Sequence, residues 1–313
     1  MLGYILRRII TTVPVVLMVA IVIFALLRLT PGDPAAIIAG DEASPAQLEA
    51  IRVQMGLNLP VHEQFLKWIG RLLQGDMGTS LLSGTPVTTL IADRMGPTIA
   101  LAVGTIPVTL LIAIPLGIIA AWRHGEAADR SVMVLAVLGF SIPTFVVGYL
   151  LIYVFSLKLG WFPVQGYREL TAGFYDFAMR VILPIGALST VYIALIARIT
   201  RSSIIEILGE DFIRTARAKG VRERTVFLRH ALRNAAVPIV TIVGIGAASL
   251  IAGVVVTESV FNIPGLGRLV VDAVLARDYP IIQGVILLFS LAYIVINLIV
   301  DILYTVFDPR ITY

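Results

Sequence analysis

Residues 198–238 read RITRSSIIEILGEDFIRTARAKGVRERTVFLRHALRNAAVP. Between Arg198 and Asn234 this stretch holds nine Lys/Arg and four Asp/Glu, yet long apolar runs flank it on both sides. Ile204, Ile205, Leu208, Phe212 and Ala216 recur at helical spacing, which predicts that the preceding apolar helix continues through them. Gly220, after Lys219, breaks that helix. A second short helix is expected over 221–228, with Val226, Phe227, Ala231 and Leu232 as apolar anchors. Such a basic helical arm fits a groove on another protein. It fits equally well on anionic lipid, at about 1 kcal/mol per near-surface Lys/Arg. Periodicity leaves both open.

The flanking sequence sets the class. Six apolar segments are long enough to cross a bilayer, at about 9–29, 98–121, 131–157, 181–197, 235–256 and 281–306. They lack period-2 alternation, so helices are expected rather than barrel strands. The chain is 58% hydrophobic and 14% charged, with a mean hydropathy of +0.95, a balance that excludes an ordinary soluble domain. The net charge of +4 is therefore read by membrane side and not as a nucleic-acid footprint. There is no cysteine, hence no disulfide framework. The apolar run 9–27 is too long for a signal-peptide core, and Arg28, Pro31, Gly32, Asp33 and Pro34 follow it, so an uncleaved first span is expected.

Basic residues orient the spans. With the N-terminus inside, the inner segments hold fourteen, namely Arg7, Arg8, Arg123, Arg130, Arg310 and the nine of the arm. The short outer loops hold five, Lys158, Arg168, Arg180, Arg268 and Arg277. Both termini are thus expected in the cytoplasm. Pro14, Pro107, Pro115, Pro143, Pro184 and Pro238 lie in or at the ends of spans, where kinks are expected.

The expected organisation is a first transmembrane helix over 1–29, an extracytoplasmic subdomain over 30–97, and a five-helix core over 98–313. The core carries the arm at 198–234 and an outer loop at 257–280. In the subdomain, Ser44 caps a helix that has Pro45 at its first position and Leu48, Ile51 and Met55 on one face. Val61, Phe65, Trp68, Ile69 and Leu72 mark a second helix, and 86–94 a third. These pieces either cover the span ends or receive a soluble partner. Pro264-Gly265 opens a turn before a short helix over 268–276. The fifth span is rich in small residues, Gly244, Gly246, Ala247, Ala248, Ser249, Ala252 and Gly253, which suit either close helix packing or a gate beside a path.

Catalytic signatures are missing from the sequence. There is no G-x-x-x-x-G-K-[ST]. Gly139-Phe140-Ser141-Ile142-Pro143 departs from G-x-S-x-G at its last position. His62-Glu63 lacks the second histidine of H-E-x-x-H, because Leu66 stands there. His124 and His230 fall in separate segments. Asp301 and Asn297 sit one turn apart in the last span, where pairing of Asp301 with a loop arginine is the default account. No metal site and no catalytic residue is expected. An intramembrane enzyme is disfavoured, and an ion-coupled secondary carrier less strongly so.

ARAKG at 216–220 and HALRNAAVP at 230–238 resemble the cytoplasmic coupling loop of ABC importer permeases. PGDPA at 31–35, GDMGTS at 75–80, TESVFNIPGLGRL at 257–269, RDYP at 277–280 and DPRI at 308–311 follow in order. The chain resembles the first permease subunit of the oligopeptide/dipeptide/nickel subfamily, close to dipeptide or glutathione permeases. In the wider family the loop reads EAA, a three-residue gap, then Gly; here Arg214, Thr215 and Ala216 stand at EAA, as in the peptide subfamily.

The resemblance implies an all-α, six-helix type I ABC importer permease fold in the cytoplasmic membrane, working by alternating access. It implies a second, homologous permease, two ABC ATPase subunits and an extracytoplasmic solute-binding protein. ATP and Mg would be held by the ATPases and none by this chain. ATPase coupling would fall to Ala216, Arg217, Ala218, Lys219 and Gly220, then Val221, Arg222, Glu223, Arg224, Thr225, Val226 and Phe227. Gly244, Ala247, Ala248, Ser249 and Gly253 are candidates for the path or gate. Pro264, Gly265 and Arg268 are candidates for binding-protein contact. Peptides are the expected substrate, with nickel, opines or another small solute as the alternative.

Overall fold

The computed structural model describes residues 2–29, 34–39, 44–54 and 56–307. Most of PGDPA and all of DPRI, with Arg310 and Met55, lie outside the described residues. The helices in order are α1 (Leu2–Leu29), α2 (Pro34–Ala39), α3 (Pro45–Gln54), α4 (Val61–Leu73), α5 (Val87–Trp122), α6 (Ala127–Ser141), α7 (Thr144–Leu151), α8 (Phe174–Leu208), α9 (Asp211–Ala218), α10 (Glu223–Thr225), α11 (Leu232–Val260), α12 (Leu266–Leu275) and α13 (Tyr279–Phe307). A π-helical stretch, Ile152–Lys158, prolongs α7, and another, Val226–Ala231, joins α10 to α11. Among the described residues there is no strand, only the isolated bridge between Thr79 and Pro86.

Local chemistry accounts for several boundaries. Ser44 Oγ accepts from the Gln47 N–H (3.3 Å) while Gln47 Oε1 accepts from the Ser44 N–H (2.9 Å), a reciprocal cap that starts α3. The α11 and α12 helices both end with a non-glycine residue at positive φ, Asn262 (52°) and Arg277 (56°). In each case the next N–H reaches back five residues, Ile263 to Glu258 O and Asp278 to Ala273 O.

Among the described residues four helices are long and apolar enough to cross a membrane, and a bent pair adds a fifth if it is one span; α1 contributes a shorter apolar stretch, Ile10–Ala25. Val103 and Leu111 on α5 and Val134, Leu135 and Phe140 on α6 are exposed, the inverse of a helix made for water.

Two expectations are corrected. No separate helix ends near 94: α5 runs unbroken from Val87 to Trp122, passing Pro97, Pro107 and Pro115. Each proline removes one donor, but α5 remains helical through all three. Conversely, the kink expected at Pro143 is a full break of the third apolar segment. Ile142 is extended (φ −89°, ψ 122°), as the residue before Pro143 prefers to be, and the chain bends by 103° there.

The chain divides into two compact units, Met1–Gly96 with Pro264–Ile294, and Pro97–Ile263 with Val295–Tyr313. In the first, Phe65 and Trp68 of α4 pack on Phe24 of α1, with ring centroids 5.1 and 5.6 Å apart. Val87 and Ile91 form a second core with Leu266, Leu269, Ile281, Ile282 and Val285. Asp278, buried, accepts from Ser80 Oγ and from the Leu81 N–H (3.2 Å), tying the 76–86 loop to the start of α13.

In the second unit α8 is central. Leu183, Leu188 and Val181 pack with Leu101, Val254, Phe261 and Ile263. The fully buried Glu258 accepts from Thr98 Oγ1 (2.6 Å). At 35 residues α8 is about 52 Å long by its rise, well beyond a hydrocarbon core of about 30 Å. Its C-terminal end leads into the arm.

Candidate functional site

The arm is built from the end of α8, α9, α10 and the π-helical start of α11. The sequence predicts one helix through Ala216, but the structure bends earlier. Gly209 ends α8, with its N–H bonded to Glu206 O and Ile207 O. Glu210 is extended (ψ 150°), and its carbonyl accepts from the Ile213 and Arg214 N–H groups to start α9. Apolar spacing continues across this joint, so periodicity alone conceals it. The break at Lys219-Gly220 is as expected. Gly220 has φ 76°, the Gly220 N–H bonds Arg217 O (2.9 Å), and the Val221 N–H bonds Ala216 O (3.2 Å).

The underside of the arm is a small apolar core. Ile213, Ala216 and Val226 are buried there, with Ile207, Leu208 and Val221 around them. Ala216, Val226 and Phe227 thus turn inward. Arg217, Ala218, Lys219, Gly220, Arg222, Glu223 and Arg224 are exposed, while Val221 and Thr225 are half-buried. Phe212 and Leu228 stay exposed among these charges, each at 44%. Across the bend, Arg217 donates to both carboxylate oxygens of Glu223 (2.8 and 3.2 Å), which raises the guanidinium pKa. Both partners are largely in solvent, so the pair contributes at most about 1 kcal/mol. Apolar burial therefore holds the bend.

At its foot the arm meets the α5–α6 connection. The Trp122 ring lies 4.9 Å from that of Phe227. Ala121 shares a buried cluster with Phe227, Ala231 and Ile204. Asp129, just before the apolar run of α6, is only 3% exposed. It accepts from Arg201 Nε and Nη2 (2.7 Å to the latter) and from the Gly125 N–H (2.9 Å). His124 Nδ1 stands 3.1 Å from Asp129 Oδ2 and 3.0 Å from Arg201 Nη2. The Arg201 guanidinium holds the Asp129 carboxyl well below the usual carboxylate range, against the opposing effect of burial. The sequence reading missed this cluster. Its visible sign is the pair of acids Glu126 and Asp129 among Arg123, His124 and Arg130, of which only the arginines enter the sequence argument, as markers of orientation.

The small residues of α11 do different things. A Cβ on Gly244 would stand 2.5 Å from Val300 Cγ1, and one on Gly253 3.1 Å from Leu188 Cδ2, so both serve close packing. Ala248 is buried. Ala247 lines a small apolar pocket with Ile106, Thr109, Tyr192 and Leu250. Ser249 is exposed. At the other candidate surface, Pro264 is exposed and Gly265 is buried in extended conformation at the start of α12. Arg268 lies 3.7 Å from Asp272. Among the described residues no cluster of His, Cys, Asp or Glu could hold a metal ion.

The family described as "Binding-protein-dependent transport system inner membrane component" matches residues 113–313. The family described as "Binding-prot-dependent transport system membrane comp, N-term" matches residues 1–102. A probable peptide ABC transporter permease protein of Sinorhizobium fredii is 50% identical over 310 residues, 99% of either chain. A glutathione transport system permease protein of Salmonella paratyphi A is 46% identical over 313 residues, 100% of either chain. Among solved structures, the MetNI methionine ABC transporter in an inward facing conformation aligns with a TM-score of 0.58 at 17% identity, covering 71% of this chain and 97% of that one. That likeness is one of fold.

Proposed function

Because the chain belongs to the family of inner membrane components of binding-protein-dependent transport systems, we propose that it is the transmembrane subunit of an ATP-driven importer of di- and oligopeptides, glutathione included. Relatives named for peptide and glutathione transport support that substrate class. In this reading six spans cross the membrane, with α1 as the first and the bent α6–α7 pair as the third, and both termini are cytoplasmic. The 30–97 segment and the 257–280 loop face outward, where Pro264 and Arg268 meet the solute-binding protein and Gly265 is buried at the turn. A second, similar permease completes the pathway beside Ala247 and Ser249, while Gly244, Ala248 and Gly253 serve packing. Two ATPase subunits carry ATP and Mg.

One observation carries the proposal. The arm presents exposed Phe212 on α9 and exposed Leu228 on the π-helical stretch after α10, among charged residues, and the two pieces share a core of Ile213, Ala216 and Val226. An apolar anchor on a rigid amphipathic helix is the form that docks into a protein groove. Docking must also transmit energy: inverting a two-state preference from 1:99 to 99:1 takes about 5.5 kcal/mol of differential binding. A helix with its own core can carry such a load, whereas a loose basic loop on lipid cannot. The test is purification of the assembled complex. Two P-loop ATPases should co-purify with the wild-type chain, and proteoliposomes bearing it with the binding protein should take up a dipeptide or glutathione on addition of ATP. Co-purification that survives Phe212→Glu with Leu228→Glu would refute docking through this face.

A further inference from the structure

We propose that the α5–α6 connection is a strap that couples the arm to two further helices, with Asp129 and Trp122 as positioning residues. This rests on the importer reading above. The connection is fastened at both ends, and to different limbs of the arm. At one end the Trp122 ring packs on Phe227, within the π-helical stretch leading into α11. At the other, Asp129 is bound through two oxygens by Arg201, towards the C-terminal end of α8.

Each fastening has one buried partner, Asp129 in one and Phe227 in the other, while Trp122 is half-exposed. The Asp129 side chain is 4% exposed and that of Arg201 21%, so removing Arg201 strands a buried carboxylate, which is strongly unfavourable. Phe227 is 4% exposed. A third contact stiffens the same foot: a Cβ on Gly117 of α5 would stand 2.6 Å from Thr200 Cβ and 2.7 Å from Ala197 O of α8. By contrast, the ion pair within the arm, Arg217 with Glu223, is largely solvated. Displacement of the arm therefore cannot occur by bending α8 and α11 alone. It carries the C-terminal end of α5 and the N-terminal end of α6 with it, so four helices receive the stroke together.

The test uses the full complex, with its ATPases and binding protein, in proteoliposomes. The chain has no cysteine, so Ser141→Cys gives a unique reporter on this chain at an exposed position at the far end of α6, which the strap moves. N-ethylmaleimide labelling of that residue is compared with and without ATP plus vanadate. With the strap intact the labelling rate changes on nucleotide addition. In Asp129→Asn and in Arg201→Gln the ATPases still co-purify, but the change shrinks roughly fivefold or more, the lower range of a coupling free energy. The double variant is no worse than either single one, because the two residues act as one tie. Trp122→Leu, which cuts the other fastening without touching a charge, also reduces the change.

A wild-type response in both Asp129→Asn and Trp122→Leu overturns the strap, as do losses that add in the double variant. If the polar variants fail to assemble, the Trp122→Leu result decides alone. If the parent complex shows no response to nucleotide, the importer reading itself fails, and that outcome is distinct from failure of the strap.

Discussion

Gly220 and Gly244 show two different reasons for a glycine, and they fail differently when replaced. At Gly220 φ is 76° and no heavy atom lies within 4 Å of an added Cβ, so backbone conformation and not space is the constraint. The left-handed region costs an L-residue about 1–2 kcal/mol, with asparagine among the tolerated exceptions. Gly220→Val should therefore abolish ATP-coupled uptake while membrane insertion persists, and Gly220→Asn should retain most of it. Normal uptake by the valine variant would show that the α9–α10 bend is dispensable. At Gly244 the obstacle is Val300. Gly244→Ala should lower the Tm of the purified complex, and adding Val300→Ala should restore it. Asp129 supplies a third prediction. Its folded pKa is depressed, so the stability it contributes is complete above the unfolded value of about 3.9 and is lost as pH falls below that. In a His124→Gln background, which removes the neighbouring imidazole, the Tm difference between Asp129 and Asp129→Asn should stay level from pH 8 to pH 5 and shrink below about pH 4. The break at Gly220 was legible from one residue type. The Asp129–Arg201 tie was not, because its partners are 72 residues apart and a single sequence carries no pairing information.

The elements were legible where chemistry marks them and obscure where it does not. The helices α3 and α4 follow from the Ser44 cap and the Phe65–Trp68 face. The joint at Gly209 escaped because apolar spacing runs straight across it. The merging of 86–94 into α5 escaped because Pro97 reads as a boundary, although α5 continues helically past it. A kink at Pro143 was legible, but not that it would be a full break of 103°, because the apolar run of span length continues across it. The arm itself is governed by its underside. Ile213 is fully buried, and truncating a buried isoleucine to alanine costs about 2–5 kcal/mol. Ile213→Ala should therefore raise amide hydrogen exchange across 211–218 without altering exchange in the middle of α8. Unchanged protection there would show that α9 is held by something other than its apolar core.

For the whole molecule, the charge asymmetry and the number of spans make one joint prediction. An even number of crossings returns both ends to one side. Cysteines introduced singly at Gly125 and Lys219 should react with an impermeant maleimide only from the cytoplasmic face, and those at Gly173 and Asn262 only from the opposite face. A residue of either pair reacting from the wrong face would refute the six-span arrangement. Composition and hydropathy were enough to read a helical membrane protein. The two units, Met1–Gly96 with Pro264–Ile294 and Pro97–Ile263 with Val295–Tyr313, were not readable, because each joins segments far apart in the chain.

The 103° elbow at Ile142-Pro143 has a mechanical consequence. A straight rod pushed at one end advances at the other; a cranked rod turns. Whatever thrust reaches α6 through Asp129 arrives beyond the elbow as a swing of α7 about the Ser141–Thr144 joint. A few ångströms of travel at the near end are thereby converted into a sideways sweep, and straightening the crank by removing Pro143 would leave the linkage pushing along its own axis with little to show for it at the far end.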